Sequence, residues 1–233
     1  EYQLDLSVFE GFTLNAHKNG SLNDRAMFRN VVKPGAFSKA SMVSDPINLF
    51  DGAPDADGAA AVVLVAADQA LDIAPQPVLI AGSAAATDTF ALQDRADLLY
   101  LKAADLSAYK AYQQAGITTA DIDLFELHDA FTILSVLTLE AAGFAGHGEG
   151  WRLAQNAGEA LALNGALPIS TFGGLKSRGN PVGATGVYQA VEAYLQLTQR
   201  AGRNQVSNAK IAAIQNLGGV GTTAITHILK RMD

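Results

Sequence analysis

An α/β fold with a mixed sheet is predicted for this chain on three observations. From residue 59 onward, short apolar runs alternate with longer stretches of helical periodicity, the order of a layered α/β protein. The chain then closes on two consecutive strand-like runs, KIAAIQN (210–216) and TAITHILK (223–230), joined by the glycine-rich LGGVGT. So tight a connection predicts an antiparallel pair, which makes the sheet mixed. Finally, 233 residues with 49% hydrophobic and 17% charged content suit a packed core rather than a disordered chain.

The elements follow in order. Residues 1–58 include AHKNGSLNDRAMFRNVVKPGAF, polar and punctuated by Asn, Gly and Pro, so an irregular segment is expected. It carries Lys18, Arg25, Arg29, Lys33 and Lys39, either as solvated charges or as a basic rim facing a phosphate. DGAAAVVLVAADQALD predicts a buried strand over 61–65 and a short helix, and PVLIAGS (77–83) a second strand. LSAYKAYQQAG (106–116) reads as a helix with Asp105 as N-cap and Gly116 as its stop. DIDLFELHD (121–129) predicts a strand and AFTILSVLTLEAAG (130–143) a buried, mostly apolar helix. GVYQAVEAYLQLTQRAG (186–202) has apolar residues at 187, 190, 191, 194, 195 and 197, a helical spacing that Gly202 would end.

Several function classes are set aside by composition. With no cysteine, this chain supplies no disulfide, thiolate metal site or cysteine nucleophile. A net charge of −7 argues against a nucleic-acid partner. The longest apolar run, AAAVVLVAA (59–67), falls far short of the roughly 20 residues of a membrane span. EYQLDLSVFEGF lacks the basic stretch and apolar core of a secretory signal, and a cytoplasmic location is expected. Glu1 in place of methionine suggests further sequence upstream. His17, His128, His147 and His227 lack metal-ligand spacing, so no metal is expected.

Three loops fall where open α/β sheets hold ligands, at strand ends. In ELHDAF (126–131), His128 could donate to an oxyanion or shuttle a proton, or be structural, and Asp129 could cap the next helix. In GGLKSRGNPVGATG (173–186), glycines 173, 174, 179, 183 and 186 precede a helix whose free N–H groups favour negative charge. Asn180 there is either a ligand contact or a turn residue, and no nucleotide-binding motif is matched. In QNLGGVG (215–221), backbone N–H groups could form an oxyanion hole, or the stretch is a plain hairpin loop.

Together the three loops, in this order and spacing, resemble the C-terminal half of the thiolase superfamily, and the archaeal and sterol-carrier-type thiolases most. HKNGSLNDRAMFR resembles the family's loop domain, and SDPINLFDGAPDADGAAAVVL the end of its N-terminal half. The resemblance implies a thiolase-like layered α/β/α fold with a mixed five-stranded sheet. It divides the chain into a remnant of the N-terminal half (1–72) and a C-terminal domain (73–233). It also implies acyltransferase chemistry, Claisen condensation or thiolysis, on a coenzyme A thioester as substrate, with no covalently bound cofactor. By position, catalytic roles fall on His128, Asn180, Asn216, Gly218 and Gly219, and substrate contacts on Lys18, Phe131, Gly173, Gly174, Pro181 and Tyr188.

The departures from the family pattern are chemical. Asn180 stands where the Gly-His-Pro motif has histidine, and Asn216 or Ala130 where the second cysteine is found. Asparagine can hold an oxygen but has no useful pKa, so thioester binding and carbonyl polarisation are expected ahead of full thiolase catalysis. Acyltransferase activity is expected only with a cysteine-bearing N-terminal half supplied. Two alternatives stand beside this reading. One is an aldol-type acyl-CoA lyase, with Tyr188 as acid/base or as a packed aromatic; the other is a non-catalytic partner of an active thiolase. The expected partners are acyl-CoA, a homo-oligomer or the cysteine-bearing half, and a small OB-fold subunit.

Overall fold

The computed structural model describes residues 3–232; Glu1 and Asp233, the outer ends of the two expected segments, lie outside the described residues. The elements are α1 (Glu10–Gly20), β1 (Met42–Ser44), β2 (Ile47–Asn48), α2 (Ala70–Ile73), β3 (Val78–Thr87), α3 (Lys102–Ala115) and β4 (Leu124–Glu126). They continue with α4 (Thr132–Ala141), α5 (Gln155–Gly158), α6 (Gly174–Arg178), α7 (Thr185–Leu197), β5 (Ile211–Gly218) and β6 (Thr223–Arg231). Among the described residues, no helix is long and apolar enough to cross a membrane.

The main sheet is mixed, as the sequence predicts, in the order β3-β6-β5-β4. β6 pairs antiparallel with β3 and with β5, while β4 and β5 are parallel. The period-2 alternation of strand side chains divides the core between the two faces. Phe125, Ala213 and Ile228 point to one face, where Ala108 and Ala111 of α3 and Val136 and Leu139 of α4 cover them. Leu124, Ala212, Ile214 and Leu229 point to the other, against Ala193 and Leu197 of α7. Helices on both faces give the α/β/α layering.

Five strands were expected in the main sheet and four are found there among the described residues. The fifth place, beside β4, holds a single parallel bridge from Phe125 to Ile169, with Phe125 N–H donating to the Pro168 carbonyl at 2.9 Å. Pro168 has no N–H to extend the ladder, so the edge stops at one rung.

The buried strand expected over 61–65 is also absent. Residues 58–66 have no regular structure, and Val63 and Leu64 are 87% and 71% exposed. An apolar run becomes a strand only when a neighbour takes its N–H and C=O groups, and among the described residues none does so here.

The opposite correction applies to the first 58 residues, which are not irregular throughout. α1 buries nine of its eleven residues, and its Phe12 belongs to the same core cluster as Phe125. The helix is polar where it meets the C-terminal part. Asn15 and Asn19 donate Nδ2–H to the Ile169 carbonyl at 3.3 and 3.2 Å, and Asn204 returns a bond to Asn19 O at 2.8 Å.

α3 starts three residues before Asp105, so that residue lies in its first turn and not at the cap. Its end is as expected: Gly116 closes it in the left-handed conformation that glycine adopts without strain. α7 ends at Leu197 with Thr198 as its cap, five residues short of Gly202.

Candidate active site

The parallel register of β4 and β5 assembles the site. Glu126 stands opposite Ile214, so two residues further on His128 and Asn216 emerge side by side at the C-terminal ends of the strands. Asn216 Nδ2 lies 3.2 Å from His128 Nδ1 and 3.3 Å from Oε1 of Gln189 on α7. Because an amide N–H faces Nδ1, that ring nitrogen acts as acceptor and the imidazole proton sits on Nε2. Burial pushes the His128 pKa down, and Arg178 adds to this while Asp129 opposes it. The ring is therefore neutral near pH 7, with a hydrogen-bond donor at Nε2, a better carbonyl polariser than proton acceptor.

Asn180 is held by the loop that carries it. Its N–H donates to Pro54 O at 2.9 Å, and its Oδ1 accepts from Val182 N and Thr185 Oγ1 at 3.2 and 3.1 Å. Among the described residues the Asn180 NH2 has no partner and remains a donor. Thr185 and Gly186 open α7, and a Cβ on Gly186 would lie 3.7 Å from Asn216 Cγ. The helix start thus sits directly over the His128–Asn216 pair.

Gly218 shares a strand face with Asn216 two residues on, and with Gly219 it forms the exposed turn between β5 and β6. The remaining predicted contacts divide into two groups. Phe131 is 45% exposed at the foot of α4, against Gly52, while Pro181 and Tyr188 are half-buried beside Gly58 and flank the loop around Asn180. Gly173 and Gly174 are buried, and their space is filled by the protein itself. A Cβ on Gly173 would meet Gly20 Cα at 2.8 Å, and one on Gly174 would meet Asp129 Oδ2 at 2.2 Å. Lys18 stands on the exposed side of α1 and, among the described residues, makes no side-chain bond.

Asp129 does not cap α4, whose N-cap is Phe131 with no side-chain bond. Its carboxylate turns inward instead, accepting from Leu175 N at 2.7 Å, at the start of α6, and from Ser170 Oγ at 3.3 Å. The same residue type does the expected job on a helix that is distant in sequence.

Residues 50–58 form a strap over these elements, a feature the sequence did not disclose. Ala53 N donates to Ala130 O at 2.8 Å, Gly52 bridges Phe131, and Asp55 bridges Asn180. The buried Lys176 fastens it, donating from Nζ to Phe50 O at 3.0 Å, Asp51 O at 2.5 Å and Thr132 Oγ1 at 2.9 Å. Burial brings its pKa down to about 8, against the pull of Asp129 and Asp51.

A buried ionic cluster beneath the site was likewise not foreseen. Glu126 accepts from Thr171 N at 3.0 Å and from Thr171 Oγ1, and burial pushes its pKa up. Arg178 Nε lies 2.9 Å from Glu192 Oε1, yet none of its N–H groups is aimed at an acceptor, and Glu192 Oε2 has no partner. The pair is thus in Coulombic contact without an aligned hydrogen bond. The guanidinium also stacks 4.7 Å from the centre of the Tyr188 ring. Burial raises the Glu192 pKa to about 8 even beside Arg178. The only hint in the sequence was charge (Lys176, Arg178, Glu192) inside segments otherwise read as a glycine loop and an apolar helix.

Layered helices about a mixed sheet, with polar groups gathered at parallel strand ends beneath a glycine-rich loop, define a thiolase-like protein. Comparison with known proteins makes this specific: residues 84–231 match the family described as thiolase C-terminal domain-like, and the chain belongs to that family. It is 42% identical over 215 residues to an acetyl-CoA acetyltransferase of Methanothermobacter thermautotrophicus, covering 92% of this chain and 56% of the relative. It is 33% identical over 231 residues to human sterol carrier protein 2, covering 97% of this chain and 42% of the relative. The chain thus spans about half the length of the relatives it matches. Among solved structures, an Ltp2–ChsH2(DUF35) aldolase superposes with a TM-score of 0.87 at 22% identity, over 98% of this chain and 59% of the other. A monomeric SCP2-thiolase-like protein of Mycobacterium smegmatis gives 0.69 at 17% identity, over 96% of this chain and 46% of the other. At these identities the two structures speak for the fold.

Proposed function

We propose that the chain binds a coenzyme A thioester and polarises its carbonyl, as the C-terminal half of a thiolase-like acyl-CoA protein. The observation that carries this reading is the Asn216 amide on His128 Nδ1, which leaves a neutral imidazole with Nε2–H as donor. The free NH2 of Asn180 and the Gly218–Gly219 backbone supply further donors, and Phe131, Pro181 and Tyr188 line the approach. Gly173 and Gly174 act beneath, shaping the loop. Lys18 contributes a charge at the rim, suited to a phosphate.

The reaction needs a second component for thiolysis. No residue here can form a thioester intermediate, so a cysteine-bearing N-terminal half, within a longer chain or as a separate subunit, supplies the nucleophile. Two apolar surfaces suit its docking: the exposed Val62–Leu64 stretch, and the half-buried outer stripe of α7 at Val187, Val191, Tyr194 and Leu195. The assembly is an oligomer of the cytoplasm in this reading, open to a small OB-fold subunit.

A second reading is aldol-type cleavage of a β-hydroxyacyl-CoA, which needs a polarised carbonyl and a base but no cysteine. The Arg178 guanidinium stacked on Tyr188 favours it, since that contact fixes the ring of the candidate acid/base beside the Asn180 loop.

Infrared difference spectra of a carbonyl-labelled acetyl-CoA separate binding from polarisation. The expected result, with the complete assembly, is a bound thioester whose carbonyl stretch moves to lower frequency, a shift lost in His128→Ala while binding persists. An assembly that binds no CoA thioester would overturn the proposal. Retention of full lyase activity by Tyr188→Phe would remove Tyr188 from the mechanism of the second reading, and absence of lyase activity in the complete assembly would remove that reading itself.

A further inference from the structure

Gln189 lies on the inner face of α7, 1% exposed, and no function has yet been given to it. Its Nε2 is 3.2 Å from Glu126 O, 3.0 Å from Leu127 O and 3.1 Å from Gln215 O. Three carbonyl oxygens around one amide nitrogen allow a single orientation, because the reversed amide would set Oε1 against three like partial charges. Oε1 is therefore directed at Asn216, whose Nδ2 donates to it at 3.3 Å. With that bond made, Asn216 shows His128 Nδ1 an N–H and not an oxygen, at 3.2 Å.

We propose that Gln189 is the positioning residue of this site. It carries the fixed direction of the β4 and β5 carbonyls through Asn216 to His128 and holds the ring as its Nε2–H tautomer. No proton moves along the chain; each amide only fixes which end of the next group faces it. The group met by Nε2 must then be a hydrogen-bond acceptor, a carbonyl or enolate oxygen and not a protonated amine. This inference rests on His128 as the thioester-facing donor, but its test does not depend on ligand.

The experiment is nitrogen-15 NMR of ligand-free protein labelled at histidine, glutamine and asparagine. Four histidines keep the spectrum simple, and His128→Gln assigns the ring of interest. In the wild type, Nδ1 is expected as the unprotonated nitrogen and Nε2 as the protonated one. In Gln189→Met, of similar length but without an acceptor, Asn216 is free to turn its oxygen to the ring. A population protonated at Nδ1 should appear, and the His128 titration midpoint should rise, because an acceptor at Nδ1 favours the imidazolium. Asp129 and Arg178, the charged groups acting on the ring, are the same in both proteins.

A folded Gln189→Met with wild-type ring shifts and midpoint would overturn the proposal, as would a wild type protonated at Nδ1. If Gln189→Met does not fold, scalar couplings in the wild type decide. Couplings from the Asn216 amide to both Gln189 Oε1=C and His128 Nδ1 support the chain of bonds, and absence of either overturns it. A protein that binds thioester but carries Nδ1–H loses the role of Gln189 and not the site. The reverse outcome, the bonds without thioester binding, refutes the proposed function instead.

Discussion

The run AAAVVLVAA (59–67) and the strands β5 and β6 look alike on paper, since both are apolar and rich in alanine and branched residues. In the fold they could hardly differ more. β5 pairs residue by residue with β6, with Ala212 and Ala213 fully buried, while Val63 stands 87% exposed. Apolar content says that a segment would gain by burial; it does not say that a partner is there to take its backbone groups. The strap at 50–58 is intermediate, anchored by hydrogen bonds to a lysine and to loop carbonyls more than by a core of its own.

Truncation at either extreme should give the widest contrast. Phe125→Ala removes a ring that is 1% exposed and packs 5.3 Å from the centre of Phe144. A loss of about 3–5 kcal/mol in urea unfolding is expected. Lys176→Met tests the middle case. It removes the charged donor from Phe50 O and Asp51 O, which keep Thr13 Oγ1 and Thr132 N as partners, so a loss of about 1–3 kcal/mol is expected. Limited proteolysis should also find new cleavage within 50–58; a strap that stays protected would show that Lys176 is not its fastening.

A smaller effect should appear as a slope against pH. Glu192 has its pKa raised from 4.5 to about 8, chiefly by burial, so the folded chain keeps a proton that the unfolded chain has lost. Its stabilisation is complete below about 4.5 and is lost as pH rises through about 8. Glu192→Gln mimics the protonated acid and should flatten the change in Tm between these limits; an unchanged slope would mean that another group sets it. The smallest effect belongs to Val63→Ala, within about 0.5 kcal/mol. A cost comparable to that of Phe125→Ala would show that the run is packed after all.

What could be read from the sequence was what short-range pattern encodes. β3, β5, β6 and the Gly116 stop of α3 are set by short apolar runs and by one residue's freedom to turn. The strand before His128 was also legible, although β4 is confined to Leu124–Glu126 within the expected 121–129, and with it the meeting of three loops. Several buried polar residues were not. Asn15 and Asn19 bond carbonyls some 150 positions away, and such a partner leaves no trace in local periodicity. α7 shows the same blindness. Its apolar positions 187, 191, 194 and 195 are only half-buried, whereas Thr185, Gln189, Glu192 and Gln196 face the interior beside Ala193 and Leu197. Spacing identified the helix and included the buried Leu197, but it could not show that polar residues share the inner face. Lys176 and the strap were missed because the need for a buried cation arises only once two loops have been brought together.

The amide bonds on the inner face of α7 have a further consequence. A helix fixed to its sheet by directional amide bonds keeps its rotation and height whatever lies against its other side. The outer stripe can then change its cover over evolutionary time, or in a chimera, without turning the residues beneath. One polar floor could thereby serve under several different roofs.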